Sequence, residues 1–341
     1  MLKDIIKEKK VLFITTKKID YIRNSQELQI LRECASHVEL IYSSQKSYPK
    51  RLIEIYSKLF IANFLRIFGK GIISKCDVIF VGFAPQLIIP IFRGAFRNKE
   101  IVIDFFISVY DTMVCDRQKF KKGSIVSKLC YWIDRLTVKK VDCIITDTKA
   151  QAIFFIEEFG ADRDKVETLY LEADRSIYYP RPQNKPSEIR DKFVVLYFGS
   201  ILPLQGVDVV LDTIRLLKEE KDIFFDIIGP IPEKLNKPIQ DNVRYTDWLP
   251  QEQLAERIAQ ADICLAGHFN GKIEKANRTI PGKAYIYEAM GKKMILGDSD
   301  ANRELFIKDT RHSFVILGNS EKLSLSILNQ YKNIEVNEYS A

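Results

Sequence analysis

The sequence predicts an α/β protein made of two doubly wound domains. Short apolar runs rich in β-branched residues alternate along the chain with segments of helical periodicity. Several of these runs are apolar throughout, as strands are when a parallel sheet buries them on both faces. A polar segment with three prolines, residues 179–191, interrupts the alternation once and is typical of a linker. We therefore expect one α/β domain on either side of it.

The predicted strands fall into two groups of similar size. Five precede the linker and six follow it: 11–16, 38–43, 78–83, 101–105 and 143–148, then 193–198, 224–228, 243–248, 263–266, 294–297 and 314–317. Helical periodicity is clearest at 207–220 and 251–260. A chain of 341 residues is long enough for two domains of about 150 residues each.

The linker sets the predicted domain boundaries. We expect an N-terminal domain over 1–190, a C-terminal domain over 191–318 and a tail over 319–341. The tail contains a plausible helix that either caps the second domain or crosses back to the first. Two doubly wound domains that face each other form a central cleft at the carboxyl ends of their strands, where such sheets bind ligands.

The composition excludes several classes of protein. The net charge of +7 indicates an anionic ligand or surface, or simply a basic protein, and not a dedicated nucleic-acid binder. The six cysteines form no C-x-x-C pair and the three histidines are scattered, so we expect neither disulfides nor a zinc site. The start lacks the apolar core of a signal peptide, and prolines interrupt the apolar stretch 78–96. We therefore expect a cytoplasmic location without a membrane span.

A glycine-containing loop follows the first strand of the second domain. Gly199 ends the strand and Gly206 precedes a helix, with Ser200 and Gln205 between them. Free N–H groups at a helix start favour an anion such as phosphate. Glycine at such a turn also has a purely steric explanation, so the loop alone leaves both interpretations open.

A second stretch, 275–290, contains charged residues that could bind a nucleotide. Arg278 and Lys283 bracket a Pro-Gly turn that leads into a helix, an arrangement that suits a diphosphate. Glu288 follows five residues after Lys283 and offers a carboxylate for the hydroxyls of a ribose. The alternative is that Lys283 and Glu288 are solvated helix residues.

The second half resembles the nucleotide-binding domain of glycosyltransferase family 4, a family of retaining enzymes with GT-B architecture, in which two Rossmann-like domains face a central cleft. The matching runs are YFGSILPLQGVDVVLDTIRLL, FDIIGP, VRYTDWLPQEQLAERIAQADICLA and RTIPGKAYIYEAMGKKMILGDSDANREL. The first half resembles the acceptor domain of a bacterial surface-polysaccharide subgroup through IVIDFFISVYDTMVCDR and WIDRLTVKKVDCIITDTKAQAIFF. The resemblance covers nearly the whole chain.

The resemblance implies a donor site in the second domain. Lys283 would contact the donor diphosphate, and Glu288 the ribose hydroxyls. Trp248 and Leu249 would border the base. The predicted donor-binding residues are Gly199, Ser200, Gln205, Gly206, Trp248, Leu249, Lys275, Arg278, Lys283 and Glu288.

Two departures from the family pattern affect this site. Ser200 and Gln205 stand where the family commonly has Arg and Lys. Either Arg278, Lys275 or Lys272 replaces these cations, or the enzyme is weak or inactive. The first of the family's paired glutamates would fall at Ile280.

Polar residues after strand 101–105 predict an acceptor site in the first domain. Asp104, Ser108 and Asp111 follow this strand, and Thr16 ends an earlier one. Asp111 either orients the acceptor hydroxyl or caps a turn. The predicted catalytic residues are Asp111, Arg278 and Lys283.

The pair Asp298 and Asp300 spells D-x-D, the metal signature of a different sugar-transferase fold. Because a helical segment follows, we interpret Asp300 as a helix cap. No metal ion and no cofactor are expected, and the nucleotide-sugar is a substrate.

Residues 46–75 hold seven basic residues and one acid, interleaved with Leu, Ile and Phe. Such a stretch either lies on an anionic leaflet as a peripheral attachment or is an ordinary helix with its apolar face in the core.

The sequence thus predicts a metal-independent, hexosyltransferase-like enzyme that moves a sugar from a nucleotide-sugar to an acceptor hydroxyl with retention. The acceptor is expected to be lipid-linked or a surface glycan in polysaccharide biosynthesis. The alternatives are another GT-B enzyme, such as a sugar-nucleotide epimerase, and a non-catalytic sugar-nucleotide-binding scaffold.

Overall fold

The computed structural model describes the backbone of residues 1–338 and the side chains of residues 1–333. It divides into two compact units, Met1–Glu172 and Ala173–Ala341. The elements of the first unit are α1 (Leu2–Ile6), β1 (Lys10–Ile14), α2 (Ile22–Cys34), β2 (His37–Ile41), α3 (Tyr48–Ile67), α4 (Ile72–Lys75), β3 (Val78–Val81), α5 (Ile89–Phe92), β4 (Glu100–Asp104), α6 (Ile125–Lys139), β5 (Cys143–Thr146), α7 (Lys149–Phe159) and β6 (Val166–Thr168).

The second unit repeats the alternation of strands and helices. Its elements are β7 (Phe193–Phe198), α8 (Val207–Leu216), β8 (Ile223–Ile228), β9 (Val243–Thr246), α9 (Gln251–Gln260), β10 (Ile263–Gly267), α10 (Lys275–Arg278), α11 (Gly282–Ala289), β11 (Met294–Gly297), α12 (Asp300–Leu305), β12 (His312–Val315) and α13 (Ser320–Glu338).

Each unit contains one six-stranded sheet in which all neighbouring strands run parallel. The strand order is β2-β1-β3-β4-β5-β6 in the first unit and β12-β11-β10-β7-β8-β9 in the second. In the first sheet the chain adds β2 on one side of β1 and then β3 on the other side. In the second sheet it adds β8 and β9 on one side of β7 and then β10 on the other side. This reversal places a topological switch point between β1 and β3 and another between β7 and β10, where doubly wound sheets bind ligands.

All eleven predicted strands are present, with small shifts at their ends. The strand that sequence reasoning missed is β6, which spans three residues and is only partly buried along its length. A strand so short, with Glu167 at its centre, carries too little apolar periodicity to be recognised.

The core of the first unit lies on both faces of its sheet, because successive strand residues point to opposite sides. Ile79 and Val81 pack with residues of α3, α5, α6 and α7, whereas Val78 and Phe80 pack with α1 and α2. The helices therefore cover both faces, as a doubly wound parallel sheet requires. No helix in the described part of the chain is both long enough and apolar enough to cross a bilayer.

The proline-rich segment belongs structurally to the second unit. Gln183 Nε2 donates to Asp262 Oδ1 at 2.8 Å and Lys185 Nζ pairs with Asp262 Oδ2 at 2.6 Å, while Arg181 pairs with Glu252 at 3.0 Å. These bonds tie the segment to α9 and the loop after it, so the compact units divide at residue 172 and not at 190.

The tail caps the second unit, which is one of the two positions considered for it. Leu323 and Ile327 of α13 lie in the core beside α8, and the rings of Tyr331 and Phe193 are 5.6 Å apart. The last predicted tail residues, 339–341, lie outside the described residues.

Candidate functional site

The switch point of the second sheet is built from glycines at strand ends. Gly199 follows β7 and Gly267 ends β10, and both have positive φ, 151° and 74°. A Cβ atom on Gly229, after β8, would lie 2.2 Å from the Gly199 carbonyl oxygen. The three glycines therefore allow the backbone segments that follow β7, β8 and β10 to approach closely, because no side chain lies between them.

Lys283 enters this switch point from the first turn of α11. Its side chain is buried, and Nζ lies 3.8 Å from the centroid of the Tyr197 ring. Cβ atoms on Gly199 and Gly267 would stand 3.0 Å and 3.9 Å from Nζ. The ammonium thus occupies space that the absence of two side chains leaves open.

The Lys283 ammonium has no hydrogen-bond acceptor among residues 1–333. Burial lowers the pKa of Lys283 well below its ordinary value, because removal from water disfavours the charged form. The Tyr197 ring face offsets part of this cost as a cation–π partner. Buried cations are ordinarily paired with an anion, so this geometry is suited to an anionic ligand group.

The loop between β7 and α8 lies beside the same switch point. Gln205 is buried, and its Oε1 would lie 3.4 Å from a Cβ on Gly267. Gly206 has φ of 64°, and a Cβ on it would lie 2.5 Å from the Asn270 nitrogen. Since α8 begins directly after Gly206 without a side-chain cap, its first N–H groups are available for an anion.

His268 lies beside Lys283 and was missed as a site residue. It follows β10, is buried, and places Nδ1 3.2 Å from the carbonyl oxygen of Thr279. Burial first, and then the charges of Lys283 and Lys275, lower the pKa of His268 to about 3. The imidazole is therefore neutral at physiological pH, and the Thr279 carbonyl favours a proton on Nδ1. The sequence signal that could have indicated His268 is its position directly after an apolar strand, where doubly wound sheets bind ligands.

The remaining predicted cations lie on α10. Lys275 is buried, and Arg278 Nη1 is 3.7 Å from Glu274 Oε2. The influence of Lys275 on the pKa of His268 places its charge near the pocket. Arg278 is thus within ion-pair distance of an exposed carboxylate, and its contact with a donor stays a prediction.

Glu288 does not join Lys283. Its Oε2 lies 2.8 Å from His312 Nε2 and its Oε1 accepts from Arg311 Nη2 at 3.1 Å. His312 begins β12, so this carboxylate lies near the amino end of the sheet, whereas Lys283 reaches the carboxyl end. Five residues of helix separate the two by about 7.5 Å along the axis of α11, and a donor site that includes both residues stays a prediction.

Three of the predicted donor-binding residues lie in loops and differ in their exposure to solvent. Ser200 is exposed next to Gly199, Trp248 is 74% exposed, and Leu249 is partly exposed after β9. No contact joins Trp248 or Leu249 to Lys283 in the described structure. Their predicted place at the base is neither supported nor opposed by this geometry.

The aspartates of the D-x-D sequence are occupied by neighbours within the fold. Asp298 accepts from Arg303 Nε at 2.8 Å, and Asp300 accepts from Asn277 Nδ2 at 2.7 Å. The N-cap of α12 is Ser299, whose hydroxyl accepts from the Asn302 amide, so Asp300 as the cap was wrong. Asp300 is instead the first residue of the helix.

Residues 192–333 match the family model of glycosyl transferases group 1. This segment, which forms most of the second unit, is similar to the domain of that family. The match begins one residue before β7 and includes Lys283, α11 and most of α13.

Curated relatives are distant and match in part. A protein described as "Uncharacterized 41.2 kDa protein in cps region" of Klebsiella pneumoniae is 23% identical over 66% of this chain and 63% of its own length. A D-inositol 3-phosphate glycosyltransferase of Thermomonospora curvata is 28% identical over 38% of this chain and 36% of its own. The chain thus spans less than two thirds of the length of these relatives.

Solved structures match over almost the whole chain. Anabaena Alr3699/HepE, in complex with UDP, has a TM-score of 0.62 at 14% identity, covering 95% of this chain and 90% of that one. Sucrose-phosphate synthase of Thermosynechococcus elongatus has a TM-score of 0.65 at 12% identity, covering 94% and 89%. At such identities the likeness shows the fold alone, and it confirms the predicted GT-B fold. Membership of glycosyltransferase family 4 stays a prediction.

Outside residues 192–333, the predicted acceptor residues of the first unit are buried. Ser108 Oγ donates to Asp134 Oδ2 at 2.7 Å, and Thr16 Oγ1 donates to the Phe83 carbonyl at 2.8 Å. Asp111 starts a π-helical turn, Asp111–Asp116, and its amide donates to Ser108 Oγ at 2.9 Å. These bonds anchor the loop after β4, so acceptor contact by these side chains stays a prediction.

Asp104 pairs with a residue that sequence reasoning did not single out. Arg23 of α2 donates through Nε to Asp104 Oδ2 at 2.9 Å and through Nη2 to Oδ1 at 3.2 Å. Glu27, one helical turn later, is fully buried, and burial together with the Asp104 charge raises its pKa well above the ordinary value. A Cβ on Gly82 would lie 3.1 Å from Glu27 Oε2. This buried network occupies the β1/β3 switch point.

Proposed function

We propose that the chain is a retaining glycosyltransferase that transfers a sugar from a nucleotide-sugar donor to an acceptor hydroxyl. The observation that carries the proposal is the buried Lys283 ammonium, which has no acceptor among the described residues and lies at the switch point of the segment that matches the group 1 family model. A nucleoside diphosphate supplies the anion that this position requires. The retaining outcome rests on the sequence resemblance.

The proposed mechanism assigns charge neutralisation to the chain's own groups. The diphosphate gains negative charge as the bond to the sugar breaks, and Lys283 faces that charge with little competing water. The start of α8 at Gly206 adds N–H donors and the positive end of the helix dipole. Lys275 and Arg278 add positive charge from α10 in place of the cations missing at Ser200 and Gln205.

The proposed donor is a uridine diphosphate sugar. Support comes from the Anabaena structures, which hold UDP and UDP-glucose. The proposed acceptor is a lipid-linked or surface glycan, and support comes from relatives described as a protein in the cps region and as a probable glycosyltransferase, WbjE. We place the reaction in the cytoplasm, at the inner face of the membrane.

A second function, a sugar-nucleotide-binding protein without turnover, is favoured by one observation. The buried side chain nearest the Gly267 strand end is the neutral Gln205, where the family commonly has a lysine. Two assays separate the functions. Slow release of free UDP from UDP-sugars indicates an enzyme, whereas binding without release indicates the second function.

A thermal-shift screen tests the donor. Sugars of UDP, GDP, dTDP and CMP are added to wild-type protein, Lys283→Ala and a matched control, Lys308→Ala, whose lysine is exposed. A ligand that binds the native state raises the melting temperature by mass action. We expect a shift with UDP-sugars in the wild type and the control and none in Lys283→Ala. An equal shift in all three proteins would place the donor elsewhere.

A further inference from the structure

The outer face of α6 is apolar although it points away from the core. Ile125, Leu129 and Trp132 are each more than half exposed, and Leu136 is 40% exposed. Their spacing of four, three and four residues places all four on one helix face. Cys130 and Val138, on the other face, are buried. The helix therefore presents one apolar side to the sheet and a second one to the solvent.

The helix α3 has the same double character. Ile55, Leu59 and Ala62 are buried against the sheet. The opposite side carries large apolar residues, each more than half exposed: Ile53, Phe60, Ile61, Phe64, Ile67 and, just after the helix, Phe68. Single exposed apolar residues are ordinary on a protein surface, but contiguous groups of this size mark interaction sites.

These two helices cover the same face of the first sheet. Both pack on Ile79 and Val81 together with α5. The short helix α5 connects them, since the Phe92 ring lies 5.0 Å from the Phe60 ring and α5 also contacts α6. Ile91 of α5 is exposed between them. We name the outer residues of α3, α5 and α6 the apolar–basic face.

The charge around this face is one-sided. Residues 46–75 and 119–140 together contain fourteen basic and two acidic residues, an excess of twelve. The whole chain has an excess of only seven, so the rest of the chain is net negative. Of the two acids, Asp134 is fully buried and Glu54 is paired with Lys58 at 2.7 Å. The positive charge of the protein is therefore concentrated around the exposed apolar residues.

We propose that the apolar–basic face docks the first unit on an anionic lipid leaflet. Aromatic and aliphatic side chains would enter the boundary between headgroups and acyl chains, while the lysines and arginines pair with lipid phosphates. Large apolar residues at the centre with cations around them match a bilayer surface, whereas a nucleic-acid site needs polar and cationic groups at its centre. This inference deepens the membrane part of the proposed function and does not depend on the donor site.

Vesicle flotation of the full chain tests the proposal. The probes are vesicles of phosphatidylcholine alone and of phosphatidylcholine with an equal part of phosphatidylglycerol. We expect the protein to float with the anionic vesicles and not with the neutral ones. Each cation near an anionic surface adds about fivefold to partitioning, so the bound fraction falls as salt rises from 0.05 M to about 0.5 M.

Paired variants assign the surface. Phe64→Ser with Trp132→Ser removes two exposed rings from the apolar–basic face, and Ile239→Ser with Ile307→Ser removes two exposed residues of the second unit. All four positions are exposed, so both proteins are expected to fold. We expect the first pair to lose at least about tenfold in partitioning and the control pair to match the wild type.

Three results would overturn the proposal: no flotation of the wild type with anionic vesicles, unchanged flotation of the Phe64/Trp132 variant, or an equal loss in the control. A dimer that light scattering detects without lipid, and that the same variant dissociates, would assign the face to a second copy instead. Lys283→Ala keeps the apolar–basic face and is expected to float normally, so the donor proposal and the membrane proposal fail separately.

Discussion

The ammonium of Lys283 lies 3.8 Å from the centroid of the Tyr197 ring, and no residue among 1–333 accepts a hydrogen bond from it. Protein interiors seldom keep a charge in this state without a reason, since desolvation is costly and a ring face returns only part of the cost. A site that binds an anion explains the arrangement, because the ligand completes what the fold leaves incomplete. The folded protein is thus less stable with the Lys283 ammonium unpaired than with an anion bound to it.

The first prediction follows from that cost. Lys283→Met keeps the volume of the side chain and removes the charge, so we expect the ligand-free protein to gain about 1 kcal/mol of stability. The same variant should lose the melting-temperature shift caused by UDP-sugars. Urea unfolding and thermal shift, with Lys308→Met as the control, measure the two effects. A destabilised variant that still binds the donor would show that Lys283 serves the fold and not the ligand.

The second prediction concerns Glu288, which bonds His312 and Arg311. Glu288→Gln weakens a partly exposed ion pair and a hydrogen bond at the edge strand β12, so we expect a loss of about 1 kcal/mol in unfolding free energy. Donor affinity should stay within about twofold, because the side chain points to the other end of the sheet from Lys283. Isothermal titration with UDP-sugar checks this. A loss of affinity like that of Lys283→Ala would place Glu288 in the donor site.

The sequence was sufficient for the fold because its signals are local. Apolar β-branched runs and helical periodicity are visible within ten residues, and all strands except the three-residue β6 follow from them. Lys283 could be chosen as a candidate for the same reason, since a Pro-Gly turn at a helix start is a local pattern in the sequence. Its burial and its contact with Tyr197 were not, because 86 residues separate the two.

The rest of the site depends on contacts between distant parts of the chain. Arg23 and Asp104 are 81 residues apart and meet only after the sheet forms. The bonds of Glu288 to Arg311 and His312 were not visible in the sequence, because helical spacing gives the rise between two residues but not which end of the sheet each one faces. His268 became a site residue only when β10 brought it beside Lys283.

The third prediction concerns Gly206, whose φ is 64° and where a Cβ would lie 2.5 Å from the Asn270 nitrogen. Gly206→Ala adds both backbone strain and a clash with main-chain atoms, so we expect a loss of about 2 kcal/mol and weaker donor binding. Gly94→Ala is the matched control, since nothing lies within 4 Å of its Cβ position. Chemical unfolding of both variants measures the difference. Equal effects would mean that the loop before α8 relaxes around the new methyl group.

The fourth prediction uses Asp134, which is buried and accepts hydrogen bonds from Ser108 Oγ and the amides of Val109 and Tyr110. Burial outweighs these donors and raises the pKa of Asp134 from the ordinary 3.8 to about 6. Between these two values the unfolded chain releases this proton while the folded chain still holds it. The stability that protonated Asp134 contributes is therefore full below about pH 4 and is lost as the pH rises through about 6.

Asp134→Asn removes this titration and keeps one oxygen, which can accept from Ser108 Oγ and the Tyr110 amide, whereas the Val109 amide loses its acceptor at every pH. Across pH 4 to 7, we expect the stability of the wild type relative to the variant to fall by about 3 kcal/mol, the equivalent of a shift of about two pKa units. Urea unfolding of both proteins at several pH values gives this difference. The contributions of the other titrating groups, such as the buried Glu27, are the same in both proteins and cancel in the comparison. Parallel curves would mean that Asp134 is ionised throughout, held by Ser108 and the two amides against the cost of burial.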